Sequence, residues 1–149
     1  MKRIGEVFQE VAKLSDSISR VLEKADYRRF DDLSGLDINY DDQDERFLQG
    51  ELRSILYRLD KVNREIEYLK RPIIGEYILR KNEDDRYECD VREFYSGSTI
   101  ECFVYDEFDD RDKWVITRVE HNSEDYYLVD FETTDLEGLK IRVREYLLK

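Results

Sequence analysis

The sequence predicts an α+β fold: an N-terminal antiparallel helical hairpin, coiled-coil-like in its spacing, followed by a small antiparallel barrel or sandwich. Three observations carry this expectation. Apolar residues recur with a helical period as far as Leu69 and with a period of two from Ile73 onward. The only proline, Pro72, stands where the period changes. Beyond it, apolar runs alternate with polar, turn-forming groups at the short intervals expected of an all-β unit. The domains are accordingly set at 1–72 and 73–149.

The first helical stripe reads Ile4, Val7, Val11, Leu14, Ile18, Val21 and Ala25, widened by Phe8 and Leu22. The second reads Leu48, Leu52, Ile55, Leu59, Val62, Ile66 and Leu69. Steps of three and four place each set along one seam of a helix, with charges on the remaining faces. Between them, Phe30 to Asp44 contains Ser34-Gly35 and a run of aspartates, among which Asp41, Asp42 or Asp44 is suited to cap the second helix. Two amphipathic helices joined by a loop bury their seams most simply against each other. Pairing with a second chain serves equally well, so a homodimer through the helices is the functional extension of this stripe. The residue before a proline is biased away from helical geometry, which ends the second helix at Lys70-Arg71.

Strands are expected at Gly75–Lys81, Arg86–Arg92, Ile100–Asp106, Lys113–Glu120, Asp125–Phe131 and Leu139–Tyr146. The groups between them are Asn82-Glu83-Asp84-Asp85, Ser96-Gly97-Ser98, Asp109-Asp110-Arg111-Asp112 and His121-Asn122-Ser123-Glu124. Short strands in this rhythm form antiparallel barrels or sandwiches.

Composition narrows the function. Charged residues make up 42% of the chain, against about 25% in an ordinary domain. The 13% aromatic content nonetheless argues for a folded chain. The formal net charge is −12, and it is unevenly shared. Residues 1–72 hold 14 basic and 16 acidic side chains, whereas 73–149 hold 11 and 21. Such a chain repels DNA, RNA and anionic membranes, whose binding rests on Lys and Arg contacts to phosphates. It is drawn instead to basic protein surfaces, nucleic-acid-binding channels included. The chain has no apolar run long enough to span a membrane and no N-terminal signal pattern, so the expected compartment is the cytoplasm. There Cys89 and Cys102 are expected to be buried thiols and not a disulfide or a metal pair.

The run Trp114-Val115-Ile116-Thr117-Arg118-Val119-Glu120-His121, continuing through Asp125-Tyr126-Tyr127-Leu128 to Val129, resembles an uncharacterised bacterial domain family. So do Gly75-Glu76-Tyr77-Ile78-Leu79 and Leu136-Glu137-Gly138-Leu139-Lys140-Ile141-Arg142-Val143-Arg144. Together they cover most of residues 73–146 in order. The resemblance implies an SH3-like barrel and a setting in phages and mobile elements of Gram-positive bacteria. It implies no catalytic residues. In general character, though by no motif, the chain is also similar to the small acidic anti-CRISPR proteins and other nucleic-acid mimics carried by mobile elements.

Catalytic material is thin. The single histidine, His121, falls in an expected polar turn, and no Ser or Cys has the context of an activated nucleophile. No Gly-rich loop precedes a helix to cradle phosphates. Asp37-x-Asn39-x-Asp41 imitates the first ligands of a calcium loop, but Asp42 stands at the glycine position, Asp44 at the apolar position and Leu48 at the final glutamate position. Cys89, Cys102 and His121 lack paired zinc spacing. The reading is therefore non-enzymatic, with no catalytic residue, cofactor or metal site.

Binding is better supported. Carboxylates two apart on a strand point the same way about 6.7 Å apart, of the order of successive phosphates along a nucleic-acid strand. The candidates are Asp106, Glu107, Asp109, Asp110 and Asp112 in one turn and Glu83, Asp84 and Asp85 in another, with Tyr105, Phe108 and Tyr126 as apolar anchors. Opposite in sign, Lys140, Arg142 and Arg144 share one strand face, suited to cross-strand ion pairs or to a small anionic ligand, with the acidic surplus favouring ion pairs. The function expected from all this is inhibition of a nucleic-acid-binding enzyme, a CRISPR nuclease or other defence protein, by occupation of its basic surface without direct contact to nucleic acid. The alternative is an adaptor that oligomerises through the hairpin and binds a peptide or protein through the barrel.

Overall fold

The computed structural model describes residues 1–146, and the last three residues of the expected second domain lie outside the described residues. It comprises two compact units, Met1–Arg71 and Pro72–Lys149.

In the first unit, α1 (Ile4–Lys24) and α2 (Gln43–Lys70) pack as an antiparallel hairpin. Asp42 is the residue that caps α2: its carboxylate accepts from the Asp44 amide at 2.9 Å, offsetting one of the free N–H groups of the first turn. Arg71, before Pro72, is already extended, as steric crowding by the proline ring requires.

The seam between the helices differs from the expected one. On α1 the buried or half-buried residues are Phe8, Ala12, Ser15, Ile18, Ser19 and Leu22; Phe8, Ile18 and Leu22 belong to the expected stripe, whereas Ile4, Val7, Val11, Leu14 and Val21 of that stripe are exposed. The reason is local chemistry. Small side chains let the backbones approach, and Ser15 donates to Asn63 at 2.9 Å and also bonds Glu67, while Asn63 donates to Ser19 at 3.2 Å. On α2 Leu56 and Ile66 are buried and Leu52 and Leu59 half-buried, so Leu52, Leu59 and Ile66 of the expected stripe turn inward while Leu48, Ile55, Val62 and Leu69 are exposed.

The second unit is antiparallel throughout. Its strands are β1 (Ile73–Ile78), β2 (Arg80–Lys81), β3 (Tyr87–Glu88), β4 (Glu93–Phe94), β5 (Thr99–Asp106), β6 (Arg111–His121), β7 (Tyr126–Leu128) and β8 (Lys140–Arg144). They form a five-stranded sheet in the order β1-β8-β5-β6-β7 and a three-stranded sheet β2-β3-β4. The expected closed barrel is not found among the described residues, because pairing stops at β1 on one edge and at the three-residue β7 on the other.

Two expected strands are interrupted. Gly75–Lys81 breaks at Leu79, whose amide donates to the Leu139 carbonyl and whose carbonyl accepts from Gly138, both at 2.9 Å, before the chain enters the smaller sheet. Arg86–Arg92 turns back on itself, the Cys89 amide bonding the Arg92 carbonyl at 2.9 Å. Asp125–Phe131 contributes only its middle residues, and His121 is the last residue of β6 instead of a turn residue.

Alternation along β5 sorts the unit into two faces. Ile100, Cys102 and Val104 enter a core shared with Leu79, Phe94, Val119, Leu128 and Ile141. Glu101 and Phe103 point to the other face, opposite Arg142 and Trp114. Both cysteines are free and buried. Burial, with the Glu101 charge adding to it, pushes the Cys102 thiol up to about 12.

Candidate functional site

The sequence-selected residues fall into two groups. The first is the β5–β6 hairpin, whose register pairs Asp106 with Arg111 and Tyr105 with Asp112. The Asp106 carboxylate accepts from the Phe108 amide at 2.9 Å, a local bond that aspartate readily makes and that shapes the turn. Lys113 reaches back to ion-pair with Asp106 and, at 3.3 Å, with Asp109. Its hydrogen bond to Lys113 holds the Asp106 carboxyl below the usual carboxylate range, and Lys113 is raised in turn. The Tyr105 hydroxyl donates to Asp110, and the carboxylate raises that phenol. Thus Asp106, Asp109 and Asp110 are committed to building the hairpin. Glu107 and Asp112 form no ion pair among the described residues. At the tip the Phe108 side chain is 100% exposed, and Tyr105 is half-exposed beside it.

The second group lies at the β2–β3 turn. Asn82 organises it: its side-chain oxygen accepts from the Asp84 amide at 2.9 Å and the Arg86 amide at 3.1 Å, and its amide donates to Glu93 at 2.8 Å. Glu83, Asp84 and Asp85 project from this turn into solvent. Tyr126 belongs here and not beside Phe108. Its ring meets Tyr87 edge-on at 6.4 Å and His121 at 4.6 Å. The His121–Tyr126 pair and the 106–111 turn occupy opposite ends of β6, roughly 30 Å apart along an extended strand of that length. The two groups of carboxylates expected from the sequence are therefore two separate acidic surfaces. Tyr126 packs against the core more than it offers an anchor.

Beside the second group lies a carboxylate not selected from the sequence. Asp125 takes Lys81 at 3.4 Å and the Tyr87 hydroxyl at 3.3 Å. Burial works to raise its pKa, but the Tyr126 amide and Lys81 outweigh that and lower it. The same environment, burial first and the Asp125 charge second, raises the Tyr87 phenol.

On the face of the five-stranded sheet away from the core, the cations of β8 are matched to carboxylates. Glu101, 2% exposed, receives both Arg142 and Arg144, and Lys140 lies 3.5 Å from Glu76. Arg142 also lies over the Trp114 ring at 4.4 Å, and Lys140 lies 5.3 Å from the Phe103 ring. Ion pairing is thus the use made of the Lys140-Ile141-Arg142-Val143-Arg144 run. The sequence signal for its partner was an acidic residue, Glu101, inside an otherwise apolar strand.

His121 is exposed, its ring edge-on to that of Tyr126. Among the described residues no three His, Cys, Asp or Glu side chains are grouped to hold a metal, and no helix is long and apolar enough to cross a membrane.

Residues 76–143 match the model of a family described as a domain of unknown function, DUF5348. That stretch runs from within β1 to within β8 and excludes the helices. No curated protein and no solved structure matches the chain.

Proposed function

We propose that the chain is a non-enzymatic protein-binding protein of a mobile element whose β5–β6 hairpin inserts into a basic protein surface. The partner is an enzyme that handles nucleic acid, a CRISPR nuclease or another defence nuclease in particular, blocked at its nucleic-acid channel. The observation that carries this reading is Phe108, wholly exposed at the tip of a well-bonded hairpin and flanked by carboxylates. An aromatic ring held in water offers a partner a large apolar contact at little conformational cost. The free charges of Glu107 and Asp112 and the acidic surplus of residues 73–149 supply the attraction that steers it to a basic surface. The Glu83–Asp85 turn is a separate acidic surface and takes no part in the same contact. The strand unit, with its bent antiparallel order and short second sheet, is read as an SH3-like barrel left open between its edges.

The test is a tagged pull-down from the bacterial cells that encode the protein, eluted in steps of salt, run beside Phe108→Ala and beside the pair Glu107→Lys, Asp112→Lys. Neither change touches the bonds that build the hairpin. A basic, nucleic-acid-handling protein held by the wild type, lost about tenfold by the Phe108 change and abolished by charge reversal, is the expected result. Equal capture by all three chains refutes the hairpin as the contact.

A further inference from the structure

We infer that the helical hairpin is half of a four-helix bundle completed by a second copy of this chain. The inference starts from how little the hairpin buries. The buried residues of its two helices are Ser15, Ile18, Leu56 and Ile66, and the seam is partly polar, built on Ser15, Ser19, Asn63 and Glu67. Helical stability in proteins comes mainly from packing an apolar face, and this seam supplies only part of it, with Phe8, Leu22, Leu52 and Leu59 no more than half-buried.

The apolar face lies elsewhere. Ile4, Val7, Val11, Leu14 and Val21 on α1 follow the three-four spacing of a bundle helix, which the buried Ile18 completes between Leu14 and Val21, and Leu48, Ile55 and Val62 on α2 stand seven apart. Their exposures run from 38% at Val11 to 89% at Ile4. At 100° per residue, each stripe is centred about 90° from the line that meets the other helix. The bonds from Ser15 to Glu67 and between Ser19 and Asn63 show the helices running antiparallel. In an antiparallel pair those two offsets open to the same side, so the stripes form one continuous aliphatic face.

Its size and charge select the occupant. With a fully exposed aliphatic residue presenting on the order of 170 Å², the eight residues offer about 700 Å², close to the ~800 Å² that each partner contributes to a standard interface. Charges of both signs edge the stripes at heptad positions: Arg3, Glu10 and, two heptads on, Lys24 beside one, and Glu51, Arg58 and Glu65 beside the other. A mixed edge on a nearly neutral unit complements itself, whereas residues 73–149 repel their own kind. Two hairpins apposed through this face bury it in the way four-helix bundles do.

The experiment is light scattering coupled to size exclusion on the full chain, over a range of protein concentration, with far-UV circular dichroism on every sample. The wild type is expected at twice the 18.1 kDa chain mass. Val11→Glu with Ile55→Glu is expected to give a monomer. Ile55→Ala with Val62→Ala, which preserves helix propensity, is expected to weaken the dimer at least about tenfold while helicity is kept. A wild type that stays monomeric at all concentrations with its helices formed overturns the inference. So does a dimer indifferent to both pairs of changes. The outcome is independent of whether the β5–β6 hairpin binds a partner.

Discussion

Glu101 offers the sharpest test of the energetics. It sits at 2% exposure with two guanidiniums on it, Arg144 with its side chain 11% exposed and Arg142 with its side chain 23% exposed. Changing Glu101→Gln keeps the shape and removes the charge, leaving two cations facing one neutral acceptor. Removing one partner of a buried ion pair commonly costs about 3–5 kcal/mol. Here Arg142 is partly exposed and can turn toward water, so the expected cost is about 2–3 kcal/mol. A domain of this size is stable by roughly 4–12 kcal/mol, and each kcal/mol moves its Tm by about 4–8 °C. Glu101→Gln should therefore lower the melting transition of the strand unit by roughly 10–20 °C. The companion variant, Glu101→Leu with Arg142→Met and Arg144→Met, removes all three charges and should return to within about 1 kcal/mol of wild type, the remaining deficit arising largely from the lost Arg142–Trp114 contact. Calorimetry or urea titration reads both. A Glu101→Gln protein melting within a few degrees of wild type would show that the carboxylate is hydrated, and would refute this account of the outer face.

The remaining predictions are simpler. Both cysteines should be unreactive to a thiol reagent at pH 8 in the folded protein and titrate fully in denaturant, because each is buried and the Cys102 thiol is pushed up to about 12; prompt labelling of the native protein would contradict this. Lys113→Gln should raise the Asp106 carboxyl toward its ordinary value, as read by carboxyl NMR titration. Since Asp106 is lowered in the fold, its contribution is full above the unfolded value of 3.8 and disappears as pH falls through the folded value, so the variant should lose that acid-side dependence. Gly97 has φ +91° in the turn closed by Ser98 and Tyr95, so Gly97→Ala should cost about 1 kcal/mol by strain alone, with open space around the new methyl group.

Much of this architecture is legible in the residues. The switch of period at Pro72, both helices, the cap at the start of α2 and the antiparallel strands follow from spacing and turn chemistry that act locally. Three features were decided elsewhere. The helix seam keeps Ile18, Leu52, Leu59 and Ile66 of the expected stripes but is completed by Ser15, Ser19 and Asn63, whose hydrogen bonds a count of apolar residues cannot register. The strands near Leu79 and Cys89 broke because single backbone bonds, Leu79 with Leu139 and Cys89 with Arg92, redirect the chain. The acidic residues were visible individually, but their division between two ends of β6 is a matter of register, and their partial neutralisation by Lys113 depends on a side chain folding back across the hairpin. Of the aromatic residues selected, Phe108 is wholly exposed whereas Tyr126 packs against the core, a difference that the sequence does not show.

The central claim is that the β5–β6 hairpin occupies a nucleic-acid channel, and competition tests it most directly. The captured partner would be loaded with fluorescently labelled nucleic acid, and anisotropy followed as wild-type protein or Phe108→Ala is added at two salt concentrations. Displacement by the wild type, weaker by about tenfold for the variant and for both chains at the higher salt, is the predicted result. A ternary complex in which the nucleic acid stays bound while the protein binds would contradict the claim.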